Sequence, residues 1–165
     1  GVCFPMICSA EDASSAVAAV RYPPAGQRMW GPFYAPIRWG QSMAEYIATA
    51  NDEMMAIATI EHPSAIERIE EIAATPGLDL AFIGPGDLAM AMGIPGQFDH
   101  PSFTQAVARA EHCILSSKVT LGGVARTADQ AKQMLDRGYR AIVLGGFDWM
   151  LLRQACDTLL SAVRA

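Results

Sequence analysis

A chain of 165 residues has the length of one domain and can bury a sizeable core. Its net charge of -5, from 12 basic and 17 acidic residues without a basic run, argues against nucleic-acid and membrane-surface partners, and no apolar stretch reaches the length of a membrane span. A hydrophobic fraction of 52% against 18% charged residues points to apolar surface buried against other subunits or another part of the domain.

Taken in order, Val2-Cys3-Phe4-Pro5-Met6-Ile7 reads as a strand already under way at the first residue. Ser9-Ala10-Glu11-Asp12 signals a helix start, and the alanine-rich helix ends near Val20. Residues 21–32, rich in Pro, Gly, aromatic and basic side chains, form a long loop of the kind that is usually functional, expected at the same end of the sheet as the acidic residues described below. A helix from Ser42 to about Asp52 leads into the apolar run Met54 to Ile60, which stops at Glu61-His62-Pro63. Isoleucines at three-residue intervals between Ser64 and Ile72 predict an amphipathic helix, ended by Thr75-Pro76-Gly77. Leu80-Ala81-Phe82-Ile83 is a buried strand broken by Gly84-Pro85-Gly86, with Asp87 at its carboxyl end.

A short helical turn, Leu88 to Met92, precedes a capped helix from Ser102 to about Ser117, and Met90 and Met92 read as core filler. Val119 to Val124 is a strand in which Gly122-Gly123 implies close approach of a neighbour. A helix spans Thr127 to Leu135, and a fifth strand spans Ala141 to Leu144. Gly145-Gly146-Phe147-Asp148 then repeats the pattern of strand, glycine break and acid, with Asp148 read as a helix cap. The final helix, Trp149 to about Val163, is apolar enough to dock on a partner chain. The four cysteines lack zinc-ribbon or Cys-x-x-Cys spacing and read as reduced, mostly buried thiols of a cytoplasmic protein.

Five strands, each followed by a helix and each suited to burial on both faces, predict an α/β fold with a parallel sheet. No Gly-x-Gly-x-x-Gly fingerprint or phosphate-binding loop is present. The count fits a small doubly wound sheet or about five-eighths of a (β/α)8 barrel, and the start inside a strand favours the barrel, with its first three units outside this chain. The whole of 1–165 is then a single domain, the carboxyl-terminal part of that barrel. Glu61 and Asp87 would both occupy strand ends, where ligands bind in such folds. Two unpaired carboxylates in one crevice call for a hard divalent cation, with places left for water and substrate. The alternative is that Glu61 caps or pairs locally and that Asp87 is the N-cap of the helix beginning at Leu88. Gly86 lets a ligand approach the backbone, and the amides around Gly86, Asp87 and Leu88 favour an anion.

Several stretches together resemble the HpcH/HpaI class II pyruvate aldolases: Phe4-Pro5-Met6, Arg21-Tyr22-Pro23-Pro24-Ala25-Gly26-x-Arg28, Ala50-Asn51-Asp52, Ile60-Glu61 and Phe82-Ile83-Gly84-Pro85-x-Asp87-Leu88. The resemblance implies a TIM barrel of the phosphoenolpyruvate/pyruvate type, of which this chain covers about the last five βα units. It further implies Mg2+, or else Mn2+ or Co2+, held by Glu61 and Asp87, and a 2-oxo acid of the pyruvate or oxaloacetate type bound at Pro85, Gly86 and Asp87. The ion would stabilise the pyruvate enolate as the carbon–carbon bond to an aldehyde forms or breaks. A substrate-binding arginine and a histidine–aspartate proton-transfer pair are expected outside this chain, and Arg28 and Arg38 do not replace them. His62, His100 and His112 read as surface or capping residues, and neither Lys118 nor Lys132 sits at a strand end to form a Schiff base. Well-studied members have glutamine in place of Thr59, threonine in place of His62 and glycine in place of Met29; relatives such as macrophomate synthase share the metal site with other chemistry. By analogy the chain forms a homo-oligomer, a hexamer, with residues 149–163 packed on another subunit. The competing readings are a non-catalytic binding or assembly fragment and a small flavodoxin-like protein.

Overall fold

Strand-length apolar runs become five strands in the structure, a computed structural model that describes residues 1–164. They are β1 (Val2–Phe4), β2 (Ala56–Ile60), β3 (Leu80–Ile83), β4 (Thr120–Ala125) and β5 (Ala141–Leu144). All pair in parallel in the order β1-β2-β3-β4-β5. A doubly wound sheet reverses its strand order at a switch point, whereas a barrel adds each strand beside the last. The unbroken order is therefore that of part of a (β/α) barrel.

The helices are α1 (Ala10–Val20), α2 (Ala35–Trp39), α3 (Met43–Glu53), α4 (Pro63–Glu67), α5 (Ile69–Ala73), α6 (Pro85–Ala91), α7 (Pro101–Leu115), α8 (Ala128–Asp136) and α9 (Asp148–Arg164). Alternation along β2 shows which face of the sheet they cover: Ala56, Ala58 and Ile60 are fully buried, while Ile57 and Thr59 between them are half-buried. Ala13, Ala16 and Val17 of α1, Ile69 and Ile72 of α5, and Ala110 and Ile114 of α7 belong to the same core. Burial on both faces, expected from the apolar runs, thus holds for one face of β2, while in β3 and β4 successive residues such as Leu80 and Ala81, or 121–123, are buried on both. The other face of β2 is the concave one, which a closed barrel fills with side chains from strands across the lumen. Exposure of much of β1 and β5 has the same origin, and it corrects the expectation of buried thiols: Cys3 is exposed, as is Cys156 on α9, and all four cysteines are unpaired.

Local differences have local causes. The isoleucine stripe is buried as expected at 66, 69 and 72, but the helix breaks at Arg68 (φ −108°, ψ 20°) into α4 and α5. A spacing of three falls short of the helical period, so an unbroken helix would rotate its third isoleucine away from the sheet, and the break keeps all three facing it. Two identical His-Pro-Ser sequences start helices alike: Nδ1 of His62 accepts the Ser64 amide and Nδ1 of His100 accepts that of Ser102, so both imidazoles are caps, while His112 lies exposed on α7. Asp148 opens α9, its Oδ1 accepting the Trp149 amide. Gly122 and Gly123 answer to crowding, since a Cβ on them would lie 2.8 Å from Leu80 and 2.9 Å from Met134 and Tyr139 respectively. Met92 packs on the core as expected, whereas Met90 is exposed. No described helix is long and apolar enough to cross a membrane.

The loop 21–32 does not lie beside Glu61 and Asp87. It follows α1, and its contacts are with residues that precede β2 and β3, so it sits at the amino ends of the strands. There the buried Arg21 guanidinium donates to the carbonyls of Asn51 and Met54 and pairs with Asp79 at 2.7 Å; the same Asp79 Oδ2 accepts the Ala56 amide at 2.7 Å. Asn51 closes the arrangement by exchanging hydrogen bonds with the Tyr22 backbone. Arg28 lies over the rings of Tyr22 and Tyr46, with centroids at 4.6 and 5.8 Å. Removing one partner of this cluster leaves a buried charge uncompensated, so Asp79→Ala is expected to lower stability by about 3 kcal/mol in urea unfolding.

Candidate functional site

β2 and β3 run in register to their ends, with Ile60 opposite Ile83, and the Gly84 amide donates to the Ile60 carbonyl at 3.0 Å. Glu61 and Gly84 therefore leave adjacent strands side by side. Glu61 is 9% exposed. Its Oε1 accepts the backbone amide of Met6, just past β1, at 2.8 Å. Its Oε2 lies against Gly84, where an added Cβ would sit 3.2 Å from that oxygen and 3.1 Å from the Glu61 Cβ. Met6 presents its amide from a left-handed backbone (φ 55°), which is costly for a side chain other than glycine. Glu61 is thus placed by three successive strand ends and takes no part in capping: the cap of α4 is His62.

Past Gly84 the chain turns directly into α6. Gly84 is the N-cap and Pro85 the first helical residue, which has no N–H to leave unsatisfied. Asp87 is the third helical residue, so its reading as an N-cap is corrected; the glycine–proline break starts the helix earlier than Leu88. The Leu88 amide is the first to close a helical bond, to Gly84 O at 3.1 Å. The Gly86 and Asp87 amides have no backbone acceptor among the described residues. A Cβ on Gly86 would meet nothing within 4 Å, leaving open space over that turn, and Asp87 is exposed.

Glu61 and Asp87 therefore both stand at the carboxyl end of the sheet, on adjacent strand–helix units. Among the described residues neither carboxylate has an ion-pair partner, although other acids do, such as Asp79 with Arg21 and Glu70 with Arg109. No group of three or more His, Cys, Asp or Glu side chains there forms a metal cage. Two carboxylates are hard oxygen donors that leave most positions of a divalent ion to water or ligand, and the donor set fits such an ion in that sense. Below Glu61 on the concave face, the Thr59 hydroxyl and the Cys3 thiol lie 3.1 Å apart. Burial, with Asp12 and Glu61 nearby, pushes the Cys8 thiol pKa up, opposed in part by Arg68. Arg28 is held at the opposite end of the sheet and Arg38 lies exposed on α2, so neither reaches these carboxylates. Sequence reading missed the Met6 amide and the Cys3–Thr59 contact. Phe4-Pro5-Met6 was part of the motif, but no residue type signals a left-handed methionine.

Comparison with known proteins bears on the family and the fold. A family model described as HpcH/HpaI aldolase/citrate lyase matches residues 1–155. A hydroxypyruvate/pyruvate aldolase from Delftia acidovorans is 36% identical over 98% of this chain, and a 2-keto-3-deoxy-L-rhamnonate aldolase from Escherichia coli is 33% identical over 98%. The chain spans 60% of the length of each. A crystal structure of an HpcH/HpaI aldolase/citrate lyase family protein from Burkholderia cenocepacia superposes with a TM-score of 0.86 at 34% identity, covering 99% of this chain and 64% of that one.

The Met6 backbone makes its own test. Met6→Gly keeps the amide that holds Glu61 and removes the Cβ penalty, so a gain of roughly 0.5–1 kcal/mol in urea unfolding is expected.

Proposed function

This chain belongs to the HpcH/HpaI aldolase/citrate lyase family, and we propose that it forms the carboxyl-terminal part of a divalent-metal-dependent aldolase barrel acting on 2-oxo acids. The observation that carries this reading is the placement of two carboxylates without basic partners, Glu61 and Asp87, at the ends of β2 and β3 beside unbonded helix-start amides. Glu61 and Asp87 would hold the ion, Mg2+ in the first instance and Mn2+ or Co2+ as substitutes. Bound there, the cation supplies a Lewis acid for the negative charge that develops on a keto oxygen.

The chain's own residues do the positioning. The Met6 amide and the close fit of Gly84 leave Glu61 little freedom, so its oxygens stay aimed at one place. The Gly86 and Asp87 amides, following Pro85, offer two donors to the carboxylate of a pyruvate- or oxaloacetate-type substrate, and the missing side chain of Gly86 gives it room. The aldehyde adds to, or leaves from, the carbon next to the keto group. Proton transfer falls to groups from the rest of the barrel, because His62 and His100 are committed to caps and His112 is on an outer helix. The isolated chain is therefore expected to bind without turning over.

Isothermal titration of Mn2+, then of pyruvate in its presence, tests the assignment. Asp87→Ala should weaken the metal by about a hundredfold or more, since even indirect supports of a ligand are worth tenfold or more. Metal-dependent pyruvate binding that survives in that variant would sink the ligand assignment. Adding the three amino-terminal βα units of the barrel in trans should restore pyruvate release from a 4-hydroxy-2-oxo acid.

The same reading accounts for α9. Leu151, Leu152, Leu159 and Leu160 are exposed and no residue of the helix is buried, so it finds its apolar contact outside the described chain. We place it on another copy, in a homo-oligomer that the family likeness makes a hexamer, and in the cytoplasm, where four unpaired thiols persist. Sedimentation should show association at micromolar concentration; a stable monomer would overturn the packing of α9.

A further inference from the structure

A cavity of about 330 Å³ lies on the outer side of the sheet, between α7 and α8 near the carboxyl ends of β3 and β4. It is separate from the carboxylates yet backs onto their support: Ile83 and Pro85, which flank Gly84 in the turn leading to Asp87, form one wall. Its body is apolar, built by Phe98, Phe103, Val107 and Met134, with the two phenylalanine rings edge to face at 5.5 Å. The rim is polar and carries Arg126, Gln130 and Gln133.

The charges around it are unbalanced. Glu111, which meets Tyr139 and Arg137 of the lining, is already engaged, accepting the Tyr139 hydroxyl at 2.7 Å and pairing with Arg137 at 3.3 Å. Arg126 has no carboxylate within ion-pair distance among the described residues. Its guanidinium lies 5.7 Å from the centroid of Phe98, and its backbone amide is anchored by Gln130 Oε1 at 2.9 Å. A cation held over an aromatic wall, at the mouth of a void at the small end of the ligand-pocket range, is complementary to one kind of occupant. Its apolar body fills the hollow and its single negative charge meets the guanidinium.

We propose that this cavity is a second small-molecule site, for an amphipathic organic anion such as an aromatic carboxylate, built by Phe98, Phe103, Val107, Met134 and Arg126. It stands apart from the assignment of Glu61 and Asp87. An occupant touching Ile83 and Pro85 bears directly on the turn that carries Gly86 and Asp87, which gives the site a physical route to the carboxyl end of the sheet.

Phenylacetate, with phenylacetamide as its uncharged counterpart, is the probe. Titration into the full chain, followed by heat and by amide chemical shifts, should move Gly123, Val124 and Arg126. Phenylacetamide on the wild type, and phenylacetate on Arg126→Gln, should each bind about tenfold more weakly. Val107→Phe, which puts a ring into the hollow from α7, should abolish binding; if that variant does not fold, the arginine and amide comparisons still decide. Asp87→Ala, which removes a proposed metal ligand, should bind phenylacetate as the wild type does. No heat or shift at millimolar phenylacetate overturns the proposal, as does equal affinity for the acid and the amide, or shifts centred on Gly86 and Asp87.

Discussion

Taking a carboxylate out of water costs several kilocalories per mole unless something nearby compensates it. Glu61 is placed in just that situation: it is almost wholly buried, one oxygen satisfied by a single backbone amide and the other lying over a glycine. No basic side chain among the described residues lies within ion-pair distance of it. Other features at this end of the sheet are arranged around that fact. A Cβ on Gly84 would crowd the carboxylate; Met6 adopts a left-handed backbone in the conformation that delivers its amide; the next strand adds a second acid instead of a base. An arrangement that accepts strain to hold an acid without an ion-pair partner in a fixed position is poor as stability design and suits the cation site proposed above.

The two ends of the same sheet divide the work. At the amino ends the buried charge is paired: Arg21 meets Asp79 and two carbonyls, and Asp79 also ties down the first amide of β2. That network joins the loop 21–32, the end of α3 and the starts of β2 and β3 into one unit. Barrels generally place stabilising residues at this face and chemistry at the opposite one. In this chain the contrast appears as paired against unpaired charge, and the difference rests on hydrogen bonds and distances independently of any family likeness.

Much of this was legible in the sequence because the relevant signals are local. Five apolar runs followed by helix-start residues yielded the five parallel strands, and the positions of Glu61 and Asp87 at strand ends followed from the runs that precede them. The isoleucine stripe gave the buried face of α4 and α5, but a stripe reports which way residues face and says little about helix continuity, so the break at Arg68 was hidden. Asp87 looked like a cap because acids commonly cap helices, while Gly84-Pro85 had already started one. For the loop 21–32, βα alternation suggests the end that carries Glu61 and Asp87, but a loop that follows a helix in such a fold returns to the amino ends of the strands, where Arg21 meets Asp79. Most hidden was the Met6 amide, since a backbone donor carried by an unusual φ leaves no trace in residue type.

The concave face shows how far a partial barrel can define its own chemistry. On the covered face, burial is complete at alternate residues, and packing against α1, α5 and α7 fixes the strands and hence the spacing of their ends. On the concave face Ile57 and Thr59 stay half-buried and Cys3 exposed, because the side chains that would fill the lumen come from strands across it. Anchoring of Glu61 needs β1, β2 and β3 and is complete within this chain. Contacts that depend on the lumen, including whatever meets Thr59 and Cys3 below the carboxylates, are not. In the proposed reading, binding of an ion and activation of a substrate would thus draw on different parts of the same barrel: the first on neighbouring strand ends in register, the second on strands facing each other across its axis.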